Sequence, residues 1–399
     1  MSRQLILKHG RDVPVLRGHP WVFSGAIARE EGNPKADEAD VLSNRGVYLG
    51  RATVQETSDI RARVFDTNPE ARLDEAGLLA RIRTARERRE AWLGPQEEPA
   101  GMRVVFSESD SLPGLIVDRY GTTLVVQFLT KPMAKRRDAV LAALAAVWKP
   151  VTVWERSDAD ALKHEGLENK TGLVSGPAPE GPVEFRENGM RFLSDLEHGH
   201  KTGFYLDQRA GRASLAAWVK RSGAKSVLDV FAYTGGFGLS ARMAGAERVV
   251  AVDSSARARE MALRHYELNG FAKGDGFDYR EADAFETLRA LKQAGESFDV
   301  IVVDPPRLTP SRAHLQRSLR AYKDANLNAI KLLKPGGLLF TFCCSGLVDR
   351  DLYGKVLEGA ARDAERPMAV LEHLFQSPDH PGKPGFAESE YLKGFVMGA

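Results

Sequence analysis

Thiols are almost missing from this chain: its 399 residues include two cysteines, and those two are neighbours, Cys343 and Cys344, in the run FTFCCSG. An adjacent pair makes no disulfide framework, and no Cys/His spacing has the form of a zinc site, so no metal is expected. Long apolar runs are missing too. No window approaches the about 18 consecutive apolar residues of a membrane helix, which excludes a helical membrane protein and predicts no membrane partner. The opening residues, MSRQLILKHG, are too short and too polar for a secretory leader. The reducing cytoplasm is therefore the expected compartment. An excess of one charge is also lacking: 56 Lys and Arg against 54 Asp and Glu leave +2, too little for a global basic field. The basic charge is gathered in runs. RIRTARERRE (81–90) has five arginines and KPMAKRR (131–137) has four basic residues. Either run could face phosphates; for the first, a solvated helix face with i,i+4 pairing is the expectation.

What is present is 43% hydrophobic and 28% charged. That is an ordinary globular composition, in a chain long enough for two or three domains. Residues 1–70 show short strands (LILK, WVFSGAI, GVYLGRATV, IRARVF) cut by Gly, Pro and Asn, the pattern of a small β-barrel. Within it Lys8, Arg11, Arg17 and His19 could meet RNA, while Trp21 and Phe23 are expected in the barrel core. Residues 71–190 begin with a helix over Leu73–Leu93 and continue as a compact α+β unit. From 191 to 399 short apolar strands alternate with helices, which predicts an α/β fold: a doubly wound, mostly parallel sheet. Its last two strands form an antiparallel edge.

SVLDVFAYTGGFGLSA (226–241) reads as a strand, a glycine-rich turn and a helix start, placed where ligands sit beyond the carboxyl ends of parallel strands. It lacks G-x-G-x-x-G, which disfavours a dinucleotide. Asp253 ends the next strand 24 residues after Asp229, about where an acid would take ribose hydroxyls. Asp283 ends the strand after that, suited to an adenine amine, and Asp229 could pair with a cationic amine. Three carboxylates around a nucleoside suit a cationic cofactor better than a pyrophosphate. The plainer alternative is that each Asp caps a helix or satisfies a turn.

FDVIVVDPPRLTP (298–310) ends a buried strand in Asp304-Pro305-Pro306, where the prolines stop the ladder and hold the carboxylate on extended backbone. GGLLFTFCCSG is expected beside it, so that Asp304 and the cysteines open on one crevice. Side chains alternate along a strand, so one thiol should line that crevice and the other should pack.

These residues carry a resemblance. The sequence resembles the bacterial large-subunit ribosomal RNA cytosine-5 methyltransferases that begin with a PUA domain, the family of ribosomal RNA large subunit methyltransferase I. The likeness covers nearly the whole chain, through RGHPWVFSGAI, ESDSLPGLIVDRYG, HKTGFYLDQR, LDVFAYTGGFGLSA, VVDPPRLTPSR and TFCCSGL in order. The third of these resembles the hairpin that leads into the catalytic domain. The resemblance implies a PUA barrel, a central α+β domain and a Rossmann-like class I methyltransferase domain, with S-adenosyl-L-methionine as methyl donor. It implies donor contacts from Gln208, Asp229, Phe231, Tyr233, Gly235, Asp253, Asp283 and Asp304, and places Phe204 and Tyr205 near the pocket. It maps the nucleophile to Cys344, with Asp304, Pro305 and Pro306 as the catalytic loop, and leaves Cys343 as a packing or auxiliary thiol. Ribosomal RNA is the implied partner, with Lys8, Arg11, Arg17, His19 and Arg307 as RNA contacts, and a homodimer is compatible with it. Many such enzymes carry a second cysteine after the prolines; Arg307-Leu308 stands there instead, so no residue is assigned to release. Two alternatives remain open: an exocyclic-amine or purine RNA methyltransferase on the same fold, and an RNA-binding assembly factor with a vestigial site.

Overall fold

Six short strands open the chain where apolar and polar residues alternate, as in β4 (Glu38–Leu42), whose alternate residues are buried, the period of a half-buried strand. The computed structural model describes residues 2–158, 162, 165–272, 274–309 and 311–399. The chain divides into two units. The first holds residues 1–187, 194–207 and 378–389; the second holds 188–193, 208–377 and 390–399.

In the first unit, β1 (Arg3–Leu7), β2 (Trp21–Phe23), β3 (Ile27–Glu31), β4, β5 (Tyr48–Val54) and β6 (Ile60–Asp66) form one sheet in the order β2-β6-β5-β4-β1-β3. Its core gathers Leu5, Leu7, Val22, Val41, Val54 and their neighbours. A second sheet, in the order β11-β10-β9-β8-β7, contains β7 (Gly101–Phe106), β8 (Leu115–Tyr120), β9 (Thr123–Phe128), β10 (Thr152–Ser157) and β11 (Lys170–Ser175). It shares a core with α1 (Glu75–Leu93), through Leu78 and Ile82, and α2 (Arg137–Trp148), through Val140 and Leu144. The Asp74 carboxylate caps α1 by accepting from the Gly77 amide, which satisfies one of the free donors of the first turn. Then come β12 (Val183–Glu187) and β13 (Met190–Ser194). Residues 200–209, likened above to a hairpin, form turns and a 3-10 turn at Leu206–Gln208 instead.

The second unit is the doubly wound one. Strands β14 (Ser226–Val230), β15 (Arg248–Asp253), β16 (Phe277–Glu281), β17 (Phe298–Val303) and β18 (Leu333–Cys343) are parallel. Antiparallel β19 (Ala369–Leu374) and β20 (Lys393–Gly398) complete the order β16-β15-β14-β17-β18-β20-β19. The edge expected from the tail is thus present, with the last strand inserted inside it. Helices α3 (Arg209–Ser222), α4 (Gly236–Met243), α5 (Ala256–Leu268), α6 (Ala284–Gln293), α7 (Leu315–Leu332) and α8 (Arg350–Asp363) belong to the same unit. Both sheet faces are covered, so the strands read as unbroken apolar runs. Leu228, Val230 and Ile301 pack in one cluster, and Val227, Val300 and Val302 in the other. No helix is long and apolar enough to cross a membrane among the described residues.

Candidate active site

Asp229 is the one acid on β14, a strand otherwise apolar but for Ser226, and it is 1% exposed. Its Oδ2 accepts from the Gly238 amide at 2.9 Å, while Oδ1 is buried with no hydrogen-bond partner. Burial, opposed by the Gly238 amide and reinforced by Asp253, pushes the carboxyl up to about 7, because a carboxylate loses its hydration there. Beyond the strand the chain turns sharply. Phe231 takes a φ of 63° and Tyr233 a φ of 47°. That conformation costs non-glycine residues and is held only when the surroundings over-determine it. The holding contacts are visible. Asp253 Oδ2 accepts from Tyr233 N at 2.9 Å, the Tyr279 hydroxyl donates to Tyr233 O at 2.6 Å, and His265 Nδ1 lies 3.0 Å from Thr234 O. His265 also accepts from Leu193 N through Nε2 at 3.0 Å. Burial lowers its pKa to about 4, so the ring is neutral and Nδ1 is the donor. At Gly235 the φ is 73°, and a Cβ would come within 3.2 Å of the Ala262 methyl. The positive φ favours glycine there, and any side chain would press on that methyl.

The three acids divide by environment. Asp253 is half-buried and also accepts from Ser255 N at 3.1 Å. Asp283 is exposed and caps α6 by accepting from Glu286 N at 2.9 Å, which realises for this residue the capping alternative weighed from the sequence. Asp229 alone of the three is fully buried with an oxygen left over. A buried acceptor without a donor is costly unless a ligand supplies one, so the cradle fits a group that presents a donor or a positive charge.

Strands β17 and β18 are parallel neighbours, with Val303 opposite Thr341, so Asp304 and the cysteines leave the sheet side by side. The half-buried Asp304 Oδ2 accepts from Gln208 Nε2 at 2.9 Å, and its amide donates to Val230 O. Gln208 is buried at the start of α3, and its own Oε1 has no partner. The expected alternation of the thiols holds. Cys343 is fully buried in the cluster of Leu228 and Val230, whereas Cys344 is half-buried against the opposite cluster, its Sγ 3.9 Å from Pro305 O. Ser345 Oγ joins the two strand ends, 2.8 Å from the Tyr322 hydroxyl and accepting from Thr309 N. Pro306 and Arg307 are exposed, Arg307 donating through Nε to Thr309 O; Pro310 of the motif lies outside the described residues. Sequence reasoning missed Lys393. It stands opposite Cys343 in register, 3% exposed, its ammonium donating to Ser345 O and Tyr391 O at 2.8 Å each. Burial lowers its pKa, and both thiols, were they ionised, would raise it. It also missed His265. Both depend on register or packing between distant segments, and only the isolated Lys in an apolar terminal strand hinted at either.

In the first unit the other expectations divide. Arg11 and Arg17 are exposed, Lys8 donates to Gly25 O, and the half-buried His19 has Nε2 3.3 Å from Glu388. Trp21 and Phe23 do not lie in the barrel core. Val22 does, while Phe23 is 47% exposed and Trp21 packs on Phe386 and donates to Glu108. In a strand of three residues a one-position shift in facing reverses every side chain. Nor is the first basic run only a solvated face, because Arg89 is buried and bidentate to Asp110. Phe204 and Tyr205 belong to this unit, Phe204 edge-on to Phe185 and Tyr205 under the Lys201 ammonium.

The fold is that of a methyltransferase. Residues 110–392 match the model of the S-adenosylmethionine-dependent methyltransferase family, and residues 5–67 match a PUA-like domain. The chain belongs to that methyltransferase family, and S-adenosylmethionine is its cofactor. It is 42% identical over 397 residues to the ribosomal RNA large subunit methyltransferase I of Cronobacter sakazakii, and 41% identical to that of Escherichia coli O139:H28. Each match covers 99% of both chains. The chain thus belongs more narrowly to the family of proteins bearing that name. Among solved structures it shares its fold with a putative SAM-dependent methyltransferase from Streptococcus mutans (TM-score 0.83, 19% identity, 99% and 100% covered). A putative methyltransferase complexed with SAH gives TM-score 0.84 at 19% identity over the same shares.

Proposed function

We propose that the protein methylates C5 of a cytosine in large-subunit ribosomal RNA through a covalent adduct between Cys344 and C6. The observation that carries this reading is the half-exposed Cys344 at the end of β18, against the carbonyl of Pro305 and beside Asp304. The printed name of the full-length relatives supports the RNA substrate. The donor fits the cradle of Asp229, Asp253 and the turn through Phe231, Tyr233 and Gly235. Asp229, with its unpartnered oxygen, would take the cationic amine; Asp253 would take ribose hydroxyls and Asp283 the adenine. When bound, S-adenosylmethionine supplies an electrophilic methyl carbon.

The chain's own residues do the rest. C5 of cytosine is a poor nucleophile. The Cys344 thiolate forms the S–C6 bond and pushes the electron pair of the C5–C6 double bond onto C5, the atom that then accepts the methyl group. Asp304, held by Gln208, hydrogen-bonds N3 or the exocyclic amine and stabilises the displaced charge. Removal of the C5 proton by a base returns the pair to the C5–C6 bond and expels the thiolate. The target base must be unpaired or flipped out for sulfur to reach C6. The reading places the enzyme in the cytoplasm, with ribosomal RNA as its partner.

The test is transfer of labelled methyl from S-adenosylmethionine to ribosomal RNA, with the modified nucleoside identified by mass spectrometry. The wild type should yield 5-methylcytidine. Cys344→Ala should lose at least about three orders of magnitude in rate, as for removal of other covalent nucleophiles. A methylated amine or purine, or full activity without Cys344, would overturn the mechanism.

A further inference from the structure

The two basic runs that stand out in the sequence are largely engaged within the protein. Arg81 pairs with Asp66, Arg86 with Glu90 and Arg89 with Asp110, while Arg136 pairs with Asp37 and Glu38 and Arg137 with Glu155. A third set is not. Arg312, Arg317 and Arg320 are exposed, and among the described residues no carboxylate lies within ion-pair distance of any of them. They follow the Asp304-Pro305-Pro306 loop directly, and the sequence has no acid between Asp304 and Asp324.

Their placement runs against helix stability. α1, α6 and α8 begin at Asp74, Asp283 and Asp349, whose carboxylates meet the positive end of the helix. α7 begins with no side-chain cap and no acid in its first turn, preceded by Arg312 and containing Arg317. Cations at a helix N-terminus repel its dipole. Such an arrangement makes sense where an anion from outside joins them. The helix start is also fixed to the chemical end of the sheet. Ser318 donates to Leu308 O at 2.7 Å, and the Tyr322 hydroxyl meets Ser345 of the cysteine turn at 2.8 Å. Arg317 and Arg320, three residues apart, are neighbours on the exposed face of the helix, as that spacing requires.

We propose that Arg312, Arg317 and Arg320, with Arg307 nearest the catalytic loop, form a phosphate-contacting surface for the RNA strand flanking the target base. This rests on the reading of the protein as an RNA methyltransferase. Guanidinium groups bind phosphate oxygens in pairs and are weakly hydrated, which suits them to a backbone track. Phosphate contacts position the strand and carry no sequence information; the choice of cytosine lies elsewhere.

The experiment uses the full chain carrying Cys344→Ala, so that binding is read without turnover, and a ribosomal RNA fragment labelled for fluorescence anisotropy. Affinity is measured over a KCl series with and without Arg312→Gln, Arg317→Gln and Arg320→Gln combined; glutamine keeps helix propensity. Removing one phosphate contact should flatten the slope of log K against log salt by about 0.7 to 0.9, so the triple variant should flatten it by roughly two to three. With Cys344 intact, the same triple change should raise KM for RNA while donor affinity stays at the wild-type value and the melting temperature does not fall. Arg83→Gln, an exposed arginine of the first run, should leave the slope unchanged. A wild-type slope in the triple variant overturns the proposal and assigns these cations to solvent or to a protein partner. If the triple variant flattens the slope but the enzyme with all its arginines and Cys344 transfers no methyl to the RNA, the surface stands and the proposed chemistry falls.

Discussion

Two buried aspartates of the first unit, Asp110 and Asp118, and one of the second, Asp229, are treated oppositely. In the first unit Asp110 accepts from both terminal nitrogens of Arg89, at 2.6 and 2.7 Å, and from the Phe106 amide. Asp118, 0% exposed, is bidentate to Arg103 at 2.8 Å and also accepts from the Thr202 hydroxyl. In the second unit Asp229 is as buried, yet it has one amide donor and an idle oxygen. The same residue type thus closes a network in one place and leaves one open in the other. Asp110 and Asp118 are spent within the fold, whereas Asp229 keeps an acceptor that a ligand's donor could use, the role proposed for it above.

Removing a partner from the saturated side is the harshest way to break this contrast. Arg89→Met should leave Asp110 with only the more distant, half-exposed Arg88 at 3.8 Å and cost about 3 to 5 kcal/mol, the usual penalty for halving a buried pair. Urea denaturation of the full chain measures it. A loss within experimental error would mean that Asp110 tolerates an unpaired state as well as Asp229 does, and the distinction would fail.

On the open side the sign reverses. The Asp229 carboxyl, raised to about 7 by burial, is more readily protonated folded than unfolded. That preference favours the fold at low pH and is lost as pH rises from about 4 through 7. A shift of this size corresponds to about 4 kcal/mol at most. Asp229→Asn should therefore make the donor-free protein more stable than wild type at pH 8, by part of that amount, while abolishing donor binding in calorimetry. Wild-type affinity should fall below pH 7 as the carboxylate is neutralised. A destabilised Asn variant would show that the acid serves the fold.

A buried histidine braces the glycine turn through Thr234, and here the pH dependence runs the other way. His265 is depressed to about 4 by burial, so the fold favours the neutral ring. The stability it confers is complete above about 6.5 and is lost as pH falls towards 4, by about 3 kcal/mol at most. Comparing wild type with His265→Gln by denaturation at pH 7.5 and 5 isolates it: the variant should show a shallower decline. An equally steep decline in both would place the acid sensitivity in other groups.

Much of the second unit was legible because its signals are local. The alternation of helix and strand, the Asp-Pro-Pro stop after β17 and the period of two that separates Cys343 from Cys344 all lie within short stretches of chain. What escaped depends on register and on distant partners. Lys393 reaches Ser345 only because β20 inserts beside β18, and Arg89 is buried only because Asp110, on the turn after β7, faces it. Trp21 and Phe23 looked like core by residue type, but the strand turned Val22 inward instead. In each case composition was right and direction was not.

The smallest expected effect makes the finest version of the contrast, between the sulfurs of two adjacent residues. Cys343 and Cys344 share backbone and redox setting, so a difference between them reports facing alone. Cys343 is 0% exposed in the cluster that holds Leu339, Tyr353 and Phe395. Cys343→Ala should cost about 1 kcal/mol, at the low end for deleting one buried heavy atom, and leave methyl transfer to RNA within a few fold of wild type. Equal loss of activity in the two alanine variants would mean that the buried thiol takes part in the chemistry, and the sheet face would no longer separate the packing sulfur from the reacting one.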